Sequence, residues 1–201
     1  MAKKNNRDTK GRIIEAAWGL FYQQGYDDTT VEEIIQASGT SRGSFYHYFE
    51  GKDALLSSLS YLFDRKYEEL SPTLDPNQDR FDQLMYLNQE LFVMIENSIS
   101  PDLLARLYSS QLVTRGEKHL LDYNRTYYKL LRQIMAQGQQ RGELREDVTV
   151  SELVRVYALC ERALIYDWCL SAGGYSLPQY SQTMLPMFFG GFRSNPSKKA
   201  P

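Results

Sequence analysis

The densest group of side chains able to recognise another molecule lies between residues 41 and 49 of this 201-residue chain. It brings together guanidinium, hydroxyl, phenol and imidazole groups: Arg42, Ser44, Tyr46, His47 and Tyr48. A guanidinium suits the edge of guanine, and hydroxyl and imidazole groups suit phosphate oxygens. Phe45 and Phe49 stand four residues apart, so one helical face could hold the segment against the protein. These residue types favour nucleic-acid recognition, and an aromatic helix that simply packs in the core is the alternative.

No constellation for catalysis or metal binding accompanies this group. His119, the second of two histidines, has no cysteine, serine or carboxylate partner by motif. Cys160 and Cys169 fall on opposite faces of one helical stretch, which excludes a disulfide between them. No phosphate-binding glycine loop, zinc spacing or nucleophile elbow occurs. We therefore expect no enzymatic activity, no catalytic residues, no metal and no cofactor.

Composition and charge narrow the class of protein further. The chain is 42% hydrophobic and 24% charged, which is typical of a globular protein. A secretory signal and an apolar run of about 18 residues are both absent, so we expect a cytoplasmic protein without a membrane span. Net charge is −2, but residues 1–12 hold five basic residues against one acidic residue. This basic segment is either a solvated tail or an arm that reaches a DNA minor groove.

Helical periodicity covers almost the whole chain, and the predicted fold class is all-α with about nine helices. The predicted helices span residues 9–24, 30–38, 41–49, 52–70, 80–97, 101–112, 123–141, 149–172 and 176–192. Capping boxes open two of them, at Thr30–Glu33 and Thr149–Glu152. Helices two and three, separated by a turn with Gly39, match a helix-turn-helix, in which the second helix enters the major groove.

Residues 12–56 resemble the N-terminal head of the TetR family of bacterial regulators. The matching segments are 12–21, Gly25-Tyr26, 29–31, Ile34, Gly39, 41–49, Lys52 and Leu55-Leu56. The chain departs from the family pattern at Ile35 and Ser38, where alanine is common, and at Thr40, where valine is common. These departures bear on how helices two and three pack, and so on sequence preference.

The resemblance implies a DNA-binding set within the first 52 residues. Its members are Thr30, Ser41, Arg42, Gly43, Ser44, Tyr46, His47, Tyr48 and Lys52. Arg42, Gly43, Ser44 and Tyr46 would approach base edges, and His47, Tyr48 and Lys52 would contact phosphates. Thr30 would offer a hydroxyl or backbone N–H at a helix start, Ser41 would cap the reading helix, and Gly43 would permit close approach because it has no side chain.

The last two long helices predict a dimer. Residues 149–172 are apolar almost all round, so this helix must be buried on more than one side. The final helix is also too apolar for a monomer surface. The predicted interface comprises Leu153, Tyr157, Leu164, Trp168, Met184, Met187 and Phe188. A two-fold homodimer with a four-helix interface, as in the family, would place two heads on a palindromic operator.

Aromatic and thioether side chains in the body predict a chamber for a flat apolar or amphipathic ligand. They are Tyr86, Phe92, Met94, Tyr108, Tyr127, Tyr128, Tyr157 and Tyr166. An ordinary aromatic core is the alternative. Glu90, Glu96, Arg106, Glu161, Arg162 and Asp167 are charged candidates for selecting a ligand. Glu161 and Asp167 interrupt the most apolar helix, where Arg155 and Arg162 could pair with them.

These features predict three regions: a DNA-binding head over 1–52 with a connecting helix over 53–70, a ligand-binding and dimerisation domain over 71–193, and a flexible tail over 194–201. The favoured function is a repressor that an apolar or aromatic inducer releases from DNA, with coupling through the connecting helix. Three alternatives stay open. One is an architectural or partner-controlled DNA binder without an inducer, the second is an activator, and the third is a helical ligand-binding protein or enzyme.

Overall fold

The computed structural model describes residues 2–113 and 118–194, with the backbone alone for residues 2–8. Within these ranges ten α-helices form: α1 Ala2–Gln24, α2 Val31–Ser38, α3 Arg42–Tyr48, α4 Lys52–Leu56, α5 Leu59–Leu70, α6 Arg80–Ser98, α7 Pro101–Val113, α8 Thr126–Gln140, α9 Val150–Leu170 and α10 Leu177–Phe189. Short 3₁₀ turns lie at Ser71–Thr73, His119–Leu121 and Gly190–Phe192. The predicted all-α class is confirmed for these ranges. Apart from Ser194, the predicted tail lies outside them.

The described residues pack into two compact units. The first unit contains α1 to α4, the first turn of α5, and α7, because it joins residues up to 62 with residues 98–120. The second contains the rest of α5 together with α6, α8, α9 and α10. The boundaries predicted at residues 52 and 71 separate functional domains, whereas these units are defined by packing. The domain boundaries therefore stay a prediction.

The core of the first unit is built on one face of α1. Ile13, Ala17, Trp18 and Phe21 are all at most 4% exposed. The indole Nε1 of Trp18 donates to the Ser58 hydroxyl at 3.0 Å, so the buried ring has its polar group satisfied. This helix begins at Ala2 rather than near Thr9, since no glycine or proline precedes Gly11.

The predicted helix over 52–70 is divided between α4 and α5, and two serines explain the division. Ser57 donates its hydroxyl hydrogen to the Ala54 carbonyl at 2.9 Å, and Ser58 donates to the Leu55 carbonyl at 2.5 Å. The Ser58 N–H also bonds to the Leu55 carbonyl at 2.9 Å, three residues back instead of four. Serine hydroxyls compete with helical hydrogen bonds in this way, so the helix is interrupted at these two residues.

In the second unit, α9 begins at the capping box that the sequence predicts. The Glu152 N–H donates to Thr149 Oγ1 at 3.3 Å, and the Thr149 N–H donates to Glu152 Oε2 at 2.9 Å. The other end of the helix is held by Trp168, whose indole donates to the Tyr175 carbonyl at 2.9 Å. These bonds fix the length of α9 and the side chains that it buries.

Candidate nucleic-acid interface

Thr30 fixes the start of α2, the bracing helix of the predicted motif. The Glu33 N–H donates to Thr30 Oγ1 at 3.2 Å, and Glu33 Oε2 accepts from the Thr30 N–H at 2.7 Å. The bond from the Thr30 backbone stabilises the carboxylate most and lowers the pKa of Glu33. The capping box is therefore complete and orients the N-terminus of α2.

The turn after α2 is held from both sides. Gly39 has φ 60°, a left-handed conformation that favours glycine, and its N–H bonds to the Gln36 carbonyl at 3.1 Å. Arg12 of α1 donates to the Ser38 carbonyl at 3.2 Å. Ser38 and Thr40, two of the departures from the family pattern, share a hydrogen bond at 2.8 Å between their hydroxyls. These contacts set the angle between α2 and α3.

Helix α3 is capped at its start and anchored from behind. The Ser44 N–H donates to Ser41 Oγ at 3.1 Å, so Ser41 is the N-cap. Phe45 and Phe49 are buried, at 0% and 6% exposure, as their spacing predicts. Lys10 of α1 lies with its ammonium 5.9 Å from the centre of the Phe49 ring. The buried face leaves the rest of α3 available to another molecule.

The exposed side of α3 carries the residues predicted to read DNA. Arg42, Gly43, Tyr46 and His47 are exposed, while Ser44 and Tyr48 are half-buried. The Arg42 guanidinium lies 5.7 Å from the centre of the Tyr46 ring. It also forms a 3.3 Å ion pair with Glu32 of α2. Both partners of this pair are exposed, so a phosphate or base could replace Glu32 at little cost.

Gly43 has no structural reason within the chain to be glycine. A Cβ built at this position would meet no atom closer than Ser41 Oγ at 3.9 Å, and no positive φ is involved. Glycine inside a helix destabilises it by about 0.8–1 kcal/mol relative to alanine. The described structure therefore does not itself require glycine at this position.

Lys52 lies at the start of α4 and contacts the turn before α2. Its ammonium donates to the carbonyls of Tyr26, at 2.6 Å, and Asp27, at 3.1 Å, and sits 4.4 Å from the centre of the Tyr26 ring. An ammonium has three N–H donors, so one remains for the predicted phosphate contact. Lys52 thus links two elements whatever else it binds.

The predicted ligand residues do not form one group. Phe92, Tyr127, Tyr128 and Tyr157 are buried within the second unit. Tyr86 and Tyr166 are exposed, and Met94 is half-buried. Tyr108 belongs to the first unit, whereas the other seven belong to the second. The buried four therefore remain candidates for a ligand region in the second unit.

A polar cluster that the sequence reading missed lies beside these tyrosines. Glu161 is 4% exposed and accepts hydrogen bonds from Asn88 Nδ2 at 2.8 Å and from the Tyr127 hydroxyl at 2.5 Å. The sequence left a pairing with Arg155 or Arg162 open; neither is among its hydrogen-bond partners, although the charge of Arg162 lowers the pKa of Glu161. Burial away from water raises the pKa of Glu161, although the Tyr127 hydrogen bond opposes that rise. The interruption of an apolar helix by Glu161 and Asp167 was the available sign.

The predicted dimer residues divide into buried and exposed sets. Leu153, Tyr157, Leu164 and Trp168 are at most 4% exposed and pack inside their own chain. Met187 and Phe188 of α10 are exposed, at 71% and 48%, and Met184 is half-buried. The apolar residues that α9 exposes are instead Val156, Leu159, Ala163, Tyr166 and Leu170. Because α9 is apolar almost all round, its apolar pattern did not show which side is outside.

Among the described residues there is neither a metal site nor a membrane-spanning helix. No group of three or more His, Cys, Asp or Glu side chains among them could hold a metal ion. None of their helices is both long enough and apolar enough to cross a membrane. The basic side chains Lys3, Lys4 and Arg7 of the predicted arm lie outside the described side chains.

Known proteins resemble this chain at two levels. The family model for bacterial regulatory proteins of the tetR family matches residues 13–59, which contain α2 and α3. The transcriptional repressor KstR2 of Mycobacterium tuberculosis is 24% identical over 188 residues, covering 90% of this chain and 92% of that protein.

Solved structures extend the likeness to the fold of nearly the whole chain. Thermus thermophilus FadR, a TetR family repressor in complex with lauroyl-CoA, has a TM-score of 0.67 and 25% identity, covering 95% of this chain and 98% of that one. Bacillus subtilis FadR in complex with stearoyl-CoA has a TM-score of 0.68 at 21% identity, covering 91% and 99%. The chain is therefore similar to transcriptional regulators of the TetR family: the family model matches its helix-turn-helix, and repressors resemble it along most of its length.

Proposed function

We propose that this protein is a repressor that binds a palindromic operator as a homodimer and leaves it when a small apolar or aromatic ligand binds in the second unit. The observation that carries the DNA-binding part is the exposed surface of α3. Arg42, Gly43, Tyr46 and His47 project from a helix that Phe45 and Phe49 anchor. A guanidinium, a phenol and an imidazole beside a position without a side chain suit a major groove. The relatives that are named repressors support repression over activation.

The proposed dimer surface is a stripe of exposed apolar side chains on α9. Its members, Val156, Leu159, Ala163, Tyr166 and Leu170, are spaced by three and four residues in alternation. This spacing is the heptad repeat by which two helices pack along a seam. On α10, Met187 and Phe188 are also exposed, so two helices from each subunit would form a four-helix contact.

The proposed ligand region is the aromatic part of the second unit around Phe92, Tyr127, Tyr128 and Tyr157. Tyr127 packs against Tyr128 with ring centres 4.8 Å apart, and Tyr157 packs against Phe189 at 4.9 Å. Such surfaces suit flat or extended apolar molecules. Because two FadR structures contain acyl-CoA, long-chain acyl thioesters belong in the ligand panel beside aromatic compounds.

The first experiment is genome-wide recovery of bound DNA, followed by gel shifts on the best site. We expect a palindrome that the purified dimer binds and that one class of ligand releases. Tyr46→Ala should weaken binding about fivefold to 150-fold, since a base contact is worth about 1–3 kcal/mol. Tyr22→Ala is the matched control, because Tyr22 is an exposed tyrosine of α1 in the same unit. Recovery of no specific site would refute the DNA-binding proposal.

The second candidate is a DNA binder without an inducer, controlled by a partner or acting as an architectural protein. The close packing of Tyr127, Tyr128 and Glu161 in the second unit is the observation that favours it. Tight operator binding that no acyl thioester or aromatic compound changes would support this candidate over the first.

A further inference from the structure

A cluster of charged and aromatic residues in the first unit connects α7 to the DNA-reading elements. It is formed by Tyr26 and Asp27 in the turn before α2, by Lys52 and Asp53 at the start of α4, and by Asp102 and Arg106 of α7. Arg106 and Asp27 are 79 positions apart in the sequence, yet both belong to the first unit. No residue of this cluster lies on α3.

Arg106 is at the centre of the contacts made by α7. Its Nη2 donates to Asp27 Oδ2 at 2.9 Å, and its Nε donates to Asp102 Oδ2 at 2.8 Å. The guanidinium also lies 5.5 Å from the centre of the Tyr26 ring. One planar group therefore contacts the turn before α2 in two ways, by an ion pair and by a cation–π contact.

Tyr26 carries the connection on to α4. Tyr26 is 9% exposed, and two cations lie near its ring. One is the Arg106 guanidinium, and the other is the Lys52 ammonium, 4.4 Å from the ring centre. Its hydroxyl donates to Asp53 Oδ1. The carbonyls of Tyr26 and Asp27 accept from the same Lys52 ammonium that is proposed to contact phosphate. The position of Lys52 therefore depends on the turn that Arg106 holds.

The ion pairs of this cluster are better suited to positioning the turn before α2 than to stabilising the fold. Arg106, Asp27 and Asp102 have side chains that are 41%, 73% and 73% exposed. Exposed ion pairs contribute little to folding, so their loss should leave the chain folded. They can nevertheless select one arrangement of a turn, and a preorganised surface binds more tightly than one that must be ordered on binding.

We infer that Arg106 is a positioning residue for operator binding: from α7 it holds the turn at Tyr26–Asp27, and through it Lys52 and the start of α2, in the arrangement that binds DNA. This inference rests on the proposed operator binding. Regulation would then act through α7 as well as through the connecting helix 52–70, because a shift of α7 would loosen the reading elements.

The test measures operator affinity over a range of salt concentrations for the full-length dimer. Arg106→Ala should weaken binding about threefold to thirtyfold, while its thermal unfolding stays close to that of the wild type. Because Arg106 is proposed to touch no phosphate, the slope of log K against log salt should stay unchanged. Loss of a phosphate contact would instead reduce that slope by about one. Arg106→Lys, which keeps the charge but not the fork, should recover part of the affinity.

Two further variants make the test specific. Asp27→Asn should weaken binding, and the double variant with Arg106→Ala should lose less than the sum of the two single losses, since both break one contact. Arg145→Ala removes an exposed arginine of the second unit that pairs with Asp147 at 2.6 Å, and it should leave operator affinity unchanged.

A change of less than about twofold for Arg106→Ala, tighter binding, or a reduced salt slope would overturn the positioning role. Failure of the wild-type protein to bind any specific site would overturn the proposed function instead, so the two failures are distinguishable.

Discussion

At the scale of a single residue, Gly43 is a position where folding and the proposed DNA binding favour different side chains. It lies inside α3, is exposed, and meets no neighbour that would exclude a methyl group. A glycine in this position costs helix stability without any benefit within the chain. Binding and folding should therefore respond to its replacement in opposite directions.

We predict that Gly43→Ala stabilises the protein by about 0.5–1 kcal/mol and weakens operator binding about tenfold or more, because the added methyl group meets the DNA. Chemical denaturation and gel shifts measure the two effects. Gly19→Ala is the matched control, since Gly19 lies inside α1 with nothing within 4 Å of its Cβ position. It should give the gain in stability with unchanged affinity. Unchanged operator affinity in Gly43→Ala would contradict a close approach at α3.

Glu161 is a second residue whose contribution can be measured separately, in this case from the dependence of stability on pH. Burial raises the pKa of Glu161 in the folded chain above the value of about 4.3 expected in the unfolded chain. The folded state therefore binds the proton more tightly than the unfolded state does. The resulting stability is complete below the unfolded pKa and is lost as pH rises through the folded pKa.

Glu161→Gln should remove this dependence on pH. Over the interval between the two pKa values, the unfolding free energy of the wild type should fall relative to that of the variant by up to about 1.4 kcal/mol per pH unit. Urea denaturation of both proteins at pH 4 to 8 measures this fall in the unfolding free energy. Glu152→Gln is the contrasting control, because hydrogen bonds from Thr149 lower the pKa of Glu152 and give the opposite sign. Parallel curves for wild type and Glu161→Gln would contradict the prediction.

At the scale of elements, two equivalent caps serve different helices. Thr30 and Thr149 each complete a capping box, the first at α2 in the first unit and the second at α9 in the second unit. Either threonine's replacement by alanine should lower stability by about 1 kcal/mol. Only the cap of α2 orients the DNA-reading motif.

We therefore predict that Thr30→Ala lowers both stability and operator affinity, whereas Thr149→Ala lowers stability to a similar degree and leaves the affinity of the folded dimer unchanged. Thermal unfolding and gel shifts below the unfolding range test the pair. Thr30→Ser, which keeps the hydroxyl, should restore both properties. Equal effects of the two alanine variants on DNA binding would show that the cap at Thr30 acts through stability alone.

Most helices could be predicted because their signals are local. The capping boxes at Thr30 and Thr149 marked two helix starts correctly, and the spacing of Phe45 and Phe49 identified the buried face of α3. The break between α4 and α5 was missed because apolar residues continue through it. Only the hydroxyl-to-carbonyl bonds of the serines at 57 and 58 reveal the interruption.

The supporting contacts of the candidate site could not be predicted from spacing. Arg106 was one of several charged candidates for ligand selection, yet it binds Asp27, 79 residues away. For Glu161 an arginine was one possible partner, yet Asn88 and Tyr127 bind it. Such pairs depend on which helix faces meet, and sequence periodicity gives a face without giving its partner.

At the scale of the whole molecule, the proposed regulation depends on the two heads of a dimer acting together. A dimer that engages both half-sites gains about 10²- to 10⁴-fold over one head, because the second contact is intramolecular. The stripe on α9 is proposed to hold the dimer, and Leu159 lies within it with 57% of its surface exposed. A charge there would be buried without a partner in the dimer and solvated in the monomer.

We predict that Leu159→Glu makes the protein monomeric at micromolar concentration and lowers operator affinity by about 10²-fold or more, with helical content retained. Light scattering after gel filtration measures the mass, and gel shifts measure the affinity. Leu112→Glu is the matched control, since Leu112 is 80% exposed on α7 of the first unit and lies outside the stripe. It should leave the dimer intact. If Leu159→Glu stayed dimeric, the subunits would have to meet through another surface, and the exposed side of α10 at Met187 would be the next to test.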